Sequence, residues 1–225
     1  SDDAALDAVC GDTEGLVAHM KSGGTHVSMS TILPATAERI AALHKKKGQH
    51  YLSAPVFGRP EAALVRKLNF VISGPASLRA ALKPLLIDAG AAGVWDFGDE
   101  IAHANVVKLC GNFMIASCLE AIGESIALAE KSAVNATSMW DFFGKTLFNA
   151  PVFHNYSQII LKNAFEPAAF SMQLGLKDLK LVAEQAAQVQ QSMPLAALVQ
   201  EHMQQLIEAG LGKSDWSAVA TAVSR

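Results

Sequence analysis

The order of apolar and polar positions divides the chain near residue 100. Before it, "GTHVSMS" reads as a short strand ending at Ser30, "QHYLSAPV" as a second, "KLNFVISG" as a third and "AGVWDFG" as a last one. Helical patterns separate them. "PATAERIAALHKKKG" has Pro34 in its first turn and Gly48 past its end, and "PASLRAALKPLLIDAG" gives another helix. Strand, helix and strand in succession imply an α/β layer, here the later strands of an open twisted sheet. From Ile101 the strand signals cease. A run to Lys131 contains no proline; as a helix it would be about 45 Å long, more than one small domain needs, so it is expected to link two bodies. Further helices are expected over 136–143, 155–162, 167–191, 194–209 and from Trp216 to the end. The expected architecture is therefore an α/β N-terminal part, residues 1–99, joined by a long interdomain helix to an all-α C-terminal domain within residues 100–225.

Composition narrows the possibilities. With 225 residues, 51% hydrophobic and 17% charged, the chain can bury a core of one large or two modest domains. A net charge of -3 excludes a broad positive field, so no nucleic-acid partner is expected. Lys45, Lys46 and Lys47 fall at a helix end, where cations complement the helix dipole. Three cysteines, Cys10, Cys110 and Cys118, with no CxxC spacing, fit neither a disulfide framework nor a zinc knuckle, and a reducing cytoplasm suits them. No uninterrupted apolar run reaches the roughly 18 to 20 residues that span a bilayer, so no membrane is expected. The seven histidines form no HxxxH or HExxH pair, and no metal site is expected from spacing. GxSxG is absent, and Gly210-Leu211-Gly212-Lys213-Ser214 follows no strand, so it reads as a helix stop and not a phosphate loop.

Three polar constellations remain. Ser30-Thr31-Ile32-Leu33-Pro34 is a strand end breaking into a helix, either a helix cap or part of the carboxyl edge where open α/β sheets bind ligands. Ser53-Ala54-Pro55-Val56-Phe57-Gly58-Arg59-Pro60 is either an ordinary turn or a binding loop whose arginine meets a carboxylate or phosphate. Lys108 and Asn112, four apart, share a helical face otherwise bordered by Val107, Leu109, Cys110, Met114 and Ile115. That lysine either snorkels to water or is buried. Burial lowers an ammonium pKa towards neutrality, which suits proton exchange with a hydroxyl or carbonyl oxygen.

Taken in order, "STILP", "APVFG", "KLCGN" and Lys177-Asp178-Leu179 resemble the motifs of the β-hydroxyacid dehydrogenase family, relatives of 3-hydroxyisobutyrate and 6-phosphogluconate dehydrogenases. The resemblance runs over essentially the whole chain. It implies a Rossmann-type dinucleotide-binding domain, here truncated, then an interdomain helix and a helical domain that forms a homodimer. It implies hydride transfer between NADP or NAD, NADPH slightly favoured, and a small hydroxy acid, aldehyde or keto acid. In that reading Lys108 is the acid/base, and Asn112 and Ser30 orient the substrate. Phe57, Gly58 and Arg59 line it, Thr31 touches the nicotinamide end, Lys177 reaches the cofactor and Asp178 supports that lysine. Three departures matter. Phe57 stands where the family usually has serine and Arg59 where it has glycine, so a bulkier or more apolar carbonyl compound is expected; Ala102 and Ala104 replace glycines ahead of Lys108, which is expected to narrow the pocket. The retained lysine favours alcohol and carbonyl chemistry over the related imine reductases, although an imine-reducing enzyme and a non-catalytic dimerisation module stay open. "SDDAALDAV" resembles the segment after the family's fourth strand. Since GxGxxG is absent, the chain is expected to be a fragment that binds dinucleotide poorly on its own.

Overall fold

The computed structural model describes residues 2–11 and 13–224. They form two compact units, Ser1–Cys110 and Gly111–Arg225.

The first unit opens with α1 (Asp3–Cys10), started by the Asp2 carboxylate, which accepts from the Ala5 N–H at 2.9 Å, and the short α2 (Leu16–His19). Then follow β1 (Thr25–Ser28), α3 (Pro34–Lys46), β2 (His50–Ser53), β3 (Val56–Phe57), α4 (Pro60–Leu64), β4 (Leu68–Ile72), α5 (Ala76–Asp88) and β5 (Ala91–Asp96). β1 pairs parallel with β2, β4 parallel with β5, and β3 antiparallel with β4. The single strand expected over "QHYLSAPV" is two. Ser53 pairs with Ser73 through two backbone hydrogen bonds, and the chain beyond Pro55 turns to run against β4. Proline has no N–H to donate to a continuing ladder. The core has two parts, one of Leu6, Cys10, Val17, Ile32, Ala37, Ile40 and Tyr51, the other of Leu52, Ala54, Phe70, Ile72 and Leu86.

The helix α6 (His103–Lys131) runs from the first unit into the second. It is the one helix among the described residues long and apolar enough to cross a membrane by length and composition. Ala116, Leu119, Ile122 and Ile126 pack in the core of the second unit, while Met114 and Leu128 on the same helix are exposed. Buried Asn112 and Glu120 interrupt the run and meet polar partners inside that unit.

The rest of the second unit is helical: α7 (Ala136–Lys145), α8 (Pro151–Leu161), α9 (Met172–Gln188), α10 (Pro194–Leu206), a π-type turn Ile207–Leu211 and a 3-10 segment Trp216–Ser224. α8 starts earlier than its apolar pattern suggests because Pro151 occupies the first helical turn, where a missing N–H costs nothing. α9 starts later than expected, at Met172, where the Ser171 hydroxyl caps it. Gly210 takes φ +94° and stops the preceding helix, so the glycine-rich stretch is a chain reversal. Asp215 then fastens the terminal segment, accepting from the N–H and hydroxyl of Ser217, and Trp216 donates to the Tyr156 hydroxyl at 2.9 Å. At Gly123 a Cβ would lie 2.6 Å from the Ala220 backbone, so this close crossing of α6 and the terminal segment needs glycine.

Burial raises the Glu120 carboxyl above its ordinary range, with Glu124 pushing the same way and the 2.7 Å hydrogen bond from His202 pulling part of it back. The folded chain therefore holds this proton more tightly than the unfolded chain. Ionising Glu120 costs stability, and the cost grows as pH rises from the ordinary 4.5 through the raised value. Glu120→Gln removes it, so the variant is expected to gain on the parent between pH 4.5 and neutrality in denaturant melts. A margin that is flat or shrinks with pH would contradict this.

Candidate active site

The carboxyl ends of β1, β2 and β4 lead into the loops that carry the polar constellations. Ser30 and Thr31 are half-buried in the turn from β1 to α3. The Leu33 N–H at the start of α3 donates to the Asp3 carboxylate at 3.0 Å, so that helix start is already met by an acidic side chain. At the end of β4, Ser73 is fully buried. Its hydroxyl donates to the Ile101 carbonyl at 2.8 Å and accepts from the Ala104 N–H at 2.9 Å, which pins the first turn of α6 to the sheet. Sequence reading passed over Ser73; its signal was a serine at a strand end directly before Gly74-Pro75.

Lys108 lies one turn further along α6, 9% exposed, with its ammonium 4.0 Å from the centroid of the Phe57 ring. A cation over an aromatic face is held by the ring quadrupole, most strongly where water is excluded. Phe57 is thus part of the lysine's seat, a role no serine could fill. Gly58 has φ +145°, which favours glycine, and a Cβ there would also press on the tip of the Leu68 side chain, 2.5 Å away. Arg59 turns to Glu61, with Nε and Oε2 3.7 Å apart.

In the second unit, Asn112, Lys177 and Asp178 form one polar group. Asp178 is 2% exposed and Asn112 4%. The Asp178 carboxylate accepts from Asn112 Nδ2 through one oxygen and forms an ion pair with Lys177 Nζ, 2.6 Å away, through the other. One buried carboxylate therefore sets the orientation of both the amide and the lysine. The structure brings Lys108 onto Phe57 in the first unit and Asn112 onto Asp178 and Lys177 in the second. Ser30 and Thr31 stand in their own loop.

These are the marks of a dinucleotide-dependent oxidoreductase: an α/β layer, here two small sheets, β1-β2 and β3-β4-β5, where one open sheet was expected, with strand-end hydroxyls, a buried lysine and a helical second unit. Two family models cover the chain. Residues 1–107 match the NAD binding domain of 6-phosphogluconate dehydrogenase, and residues 102–223 match the NAD-binding domain of NADP-dependent 3-hydroxyisobutyrate dehydrogenase. The chain belongs to the β-hydroxyacid dehydrogenase family of NAD(P)-dependent oxidoreductases. It is 39% identical to an uncharacterized oxidoreductase of Bacillus subtilis, over 99% of this chain and 77% of the relative. It is 28% identical to glyoxylate/succinic semialdehyde reductase 2 of Arabidopsis thaliana, over 98% of this chain and 61% of that protein. Among solved structures, 3-hydroxyisobutyrate dehydrogenase from Salmonella typhimurium superposes with a TM-score of 0.86 at 29% identity, covering 98% of this chain and 76% of that one.

A double-mutant cycle checks the polar group. Lys177→Met leaves a buried carboxylate one partner short and is expected to cost about 1–3 kcal/mol. Asp178→Asn is expected to cost a similar amount, and the double variant less than the sum, with a coupling of about 1 kcal/mol in urea melts. Strict additivity would show that the pair does not act as a unit.

Proposed function

We propose that the chain supplies the proton-transfer and substrate-orienting residues of an NAD(P)-dependent reductase, with NADPH the preferred donor. Its substrate is a small aldehyde or keto acid, or the matching hydroxy acid in reverse. The observation that carries this reading is the buried ammonium of Lys108 held over Phe57. Bound NAD(P)H supplies the hydride to the carbonyl carbon. As negative charge develops on the carbonyl oxygen, Lys108 gives it a proton; in the oxidative direction the neutral amine takes that proton back. Asn112, one helical turn on and anchored by Asp178, and Ser30 are the residues assigned to orienting the substrate; Thr31 and Lys177 would hold the nicotinamide end of the cofactor.

The residues present fit that reacting end. Among the described residues no glycine-rich turn joins a strand to a helix, and the start of α3 is already occupied by Asp3, so they offer no matching seat for the pyrophosphate. Phe57 in place of a carboxylate-binding serine favours a carbonyl compound more apolar than a small β-hydroxy acid. The Arabidopsis relative is named for glyoxylate and succinic semialdehyde, aldehydes that each carry a carboxylate, which supports a small aldehyde substrate. The oxidoreductase is proposed to work as a homodimer in the cytoplasm. Support comes from apolar side chains exposed on the second unit, among them Leu128, Phe142 and Leu147.

Lys108→Ala tests the assignment in the active holoenzyme. Turnover of the aldehyde is expected to fall by about 10²- to 10⁴-fold, the usual worth of a positioned acid/base, with cofactor affinity nearly unchanged. Surviving turnover would overturn the role.

A further inference from the structure

The core of the first unit holds a polar cluster that the oxidoreductase chemistry does not use. Cys10 ends α1, His26 lies in β1 and His44 lies in the last turn of α3. Cys10 and His44 are fully buried, and His26 is half-buried. Cys10 Sγ lies 3.8 Å from His26 Nδ1, and His26 Nδ1 lies 2.9 Å from His44 Nε2. All three potential ligand atoms fall within 4.8 Å of one another.

The hydrogen bonds around the cluster fix which atoms carry lone pairs. Gln49 Nε2 donates to the carbonyls of Val17 and Met20, which leaves Gln49 Oε1 to accept from His44 Nδ1 at 2.7 Å. His44 Nδ1 therefore donates to Gln49, and in the tautomer that makes this bond the Nε2 lone pair faces His26 and Cys10. A histidine whose second nitrogen donates to a fixed oxygen is the usual arrangement of a metal ligand. Burial, with the neighbouring His44 pushing the same way, holds His26 down to about 4, so its imidazole is neutral near pH 7.

We propose that Cys10, His26 and His44 form a binding site for one zinc-type divalent cation, which staples α1 to β1 and α3. A tetrahedral zinc ion with sulfur at about 2.3 Å and nitrogen at about 2.0–2.1 Å sets its ligands about 3.3 Å apart for two nitrogens and about 3.6 Å for nitrogen and sulfur. The two histidine nitrogens must open by about 0.4 Å, and Cys10 Sγ must close by about 0.2 Å on His26 Nδ1 and by up to about 1.2 Å on His44 Nε2, to meet those spacings. Loading displaces one proton, from the Cys10 thiol, and moves the His26 ring proton from Nδ1 to Nε2 so that Nδ1 can ligate. The half-buried side of His26 leaves a route for the ion and for a water as fourth ligand. Thiolate with two imidazoles selects zinc over magnesium or calcium, which take oxygen ligands.

The test is a cobalt(II) titration of the full chain, freed of any affinity tag, followed by absorption, with zinc added afterwards. One cobalt per chain is expected, with a thiolate-to-cobalt charge-transfer band in the near ultraviolet and strong tetrahedral visible bands, both erased by zinc. Zinc is also expected to raise the melting temperature and release one proton per chain. Cys10→Ser removes the charge-transfer band. His26→Asn, a change at a half-buried position, weakens cobalt binding at least tenfold and keeps the test decisive if the cysteine variant folds poorly. Absence of the band from the folded parent chain would overturn the proposal, as would a band that persists in Cys10→Ser, which would belong to Cys110 or Cys118.

Discussion

A polar group taken out of water must be met by protein, and α6 places three such groups on one largely apolar helix. Lys108 is met by the face of Phe57, Asn112 by Asp178, and Glu120 by His202. Leaving any of these unmatched costs as much as a well-made core contact contributes. Each partner comes from a different element, so the requirement fixes the β3 loop, α9 and α10 against α6, each in its own unit. In the role proposed for Lys108, the same requirement keeps the ammonium out of bulk water, at a place where it could exchange a proton.

Ser73 shows how the sheet shares in this. Its hydroxyl bonds to the Ile101 carbonyl and the Ala104 N–H, so the start of α6 is set by the end of β4. Lys108 follows one turn later, at a position the strand has chosen. The Phe57 substitution fits the same logic, because the ring seats the ammonium while removing a hydroxyl that could have held a carboxylate.

The alternation of strand and helix patterns, and the change to helices near residue 100, were legible because periodicity reports burial directly. The break between β2 and β3 was not, because the apolar run "YLSAPV" continues through a change of partner that only Pro55 hints at. The four spaced motifs identified the family, and Lys177 beside Asp178 was visible as a pair. The joint hold of Asp178 on Asn112 was hidden, since 66 positions separate them. The Cys10, His26 and His44 cluster was hidden for the same reason. Metal motifs are recognised by short spacings, and these three residues come from three elements brought together only by the fold.

The central claim is that Lys108 acts by moving a proton and not merely by carrying charge. Lys108→Arg separates the two, because arginine keeps the cation over Phe57 but does not give up its proton in a protein. Turnover of an aldehyde substrate by this variant, measured with the cofactor saturating, is expected to be lost nearly as fully as in the alanine variant. Retention of turnover within about tenfold of the parent, less than a positioned acid/base contributes, would contradict the account and leave Lys108 a purely electrostatic residue.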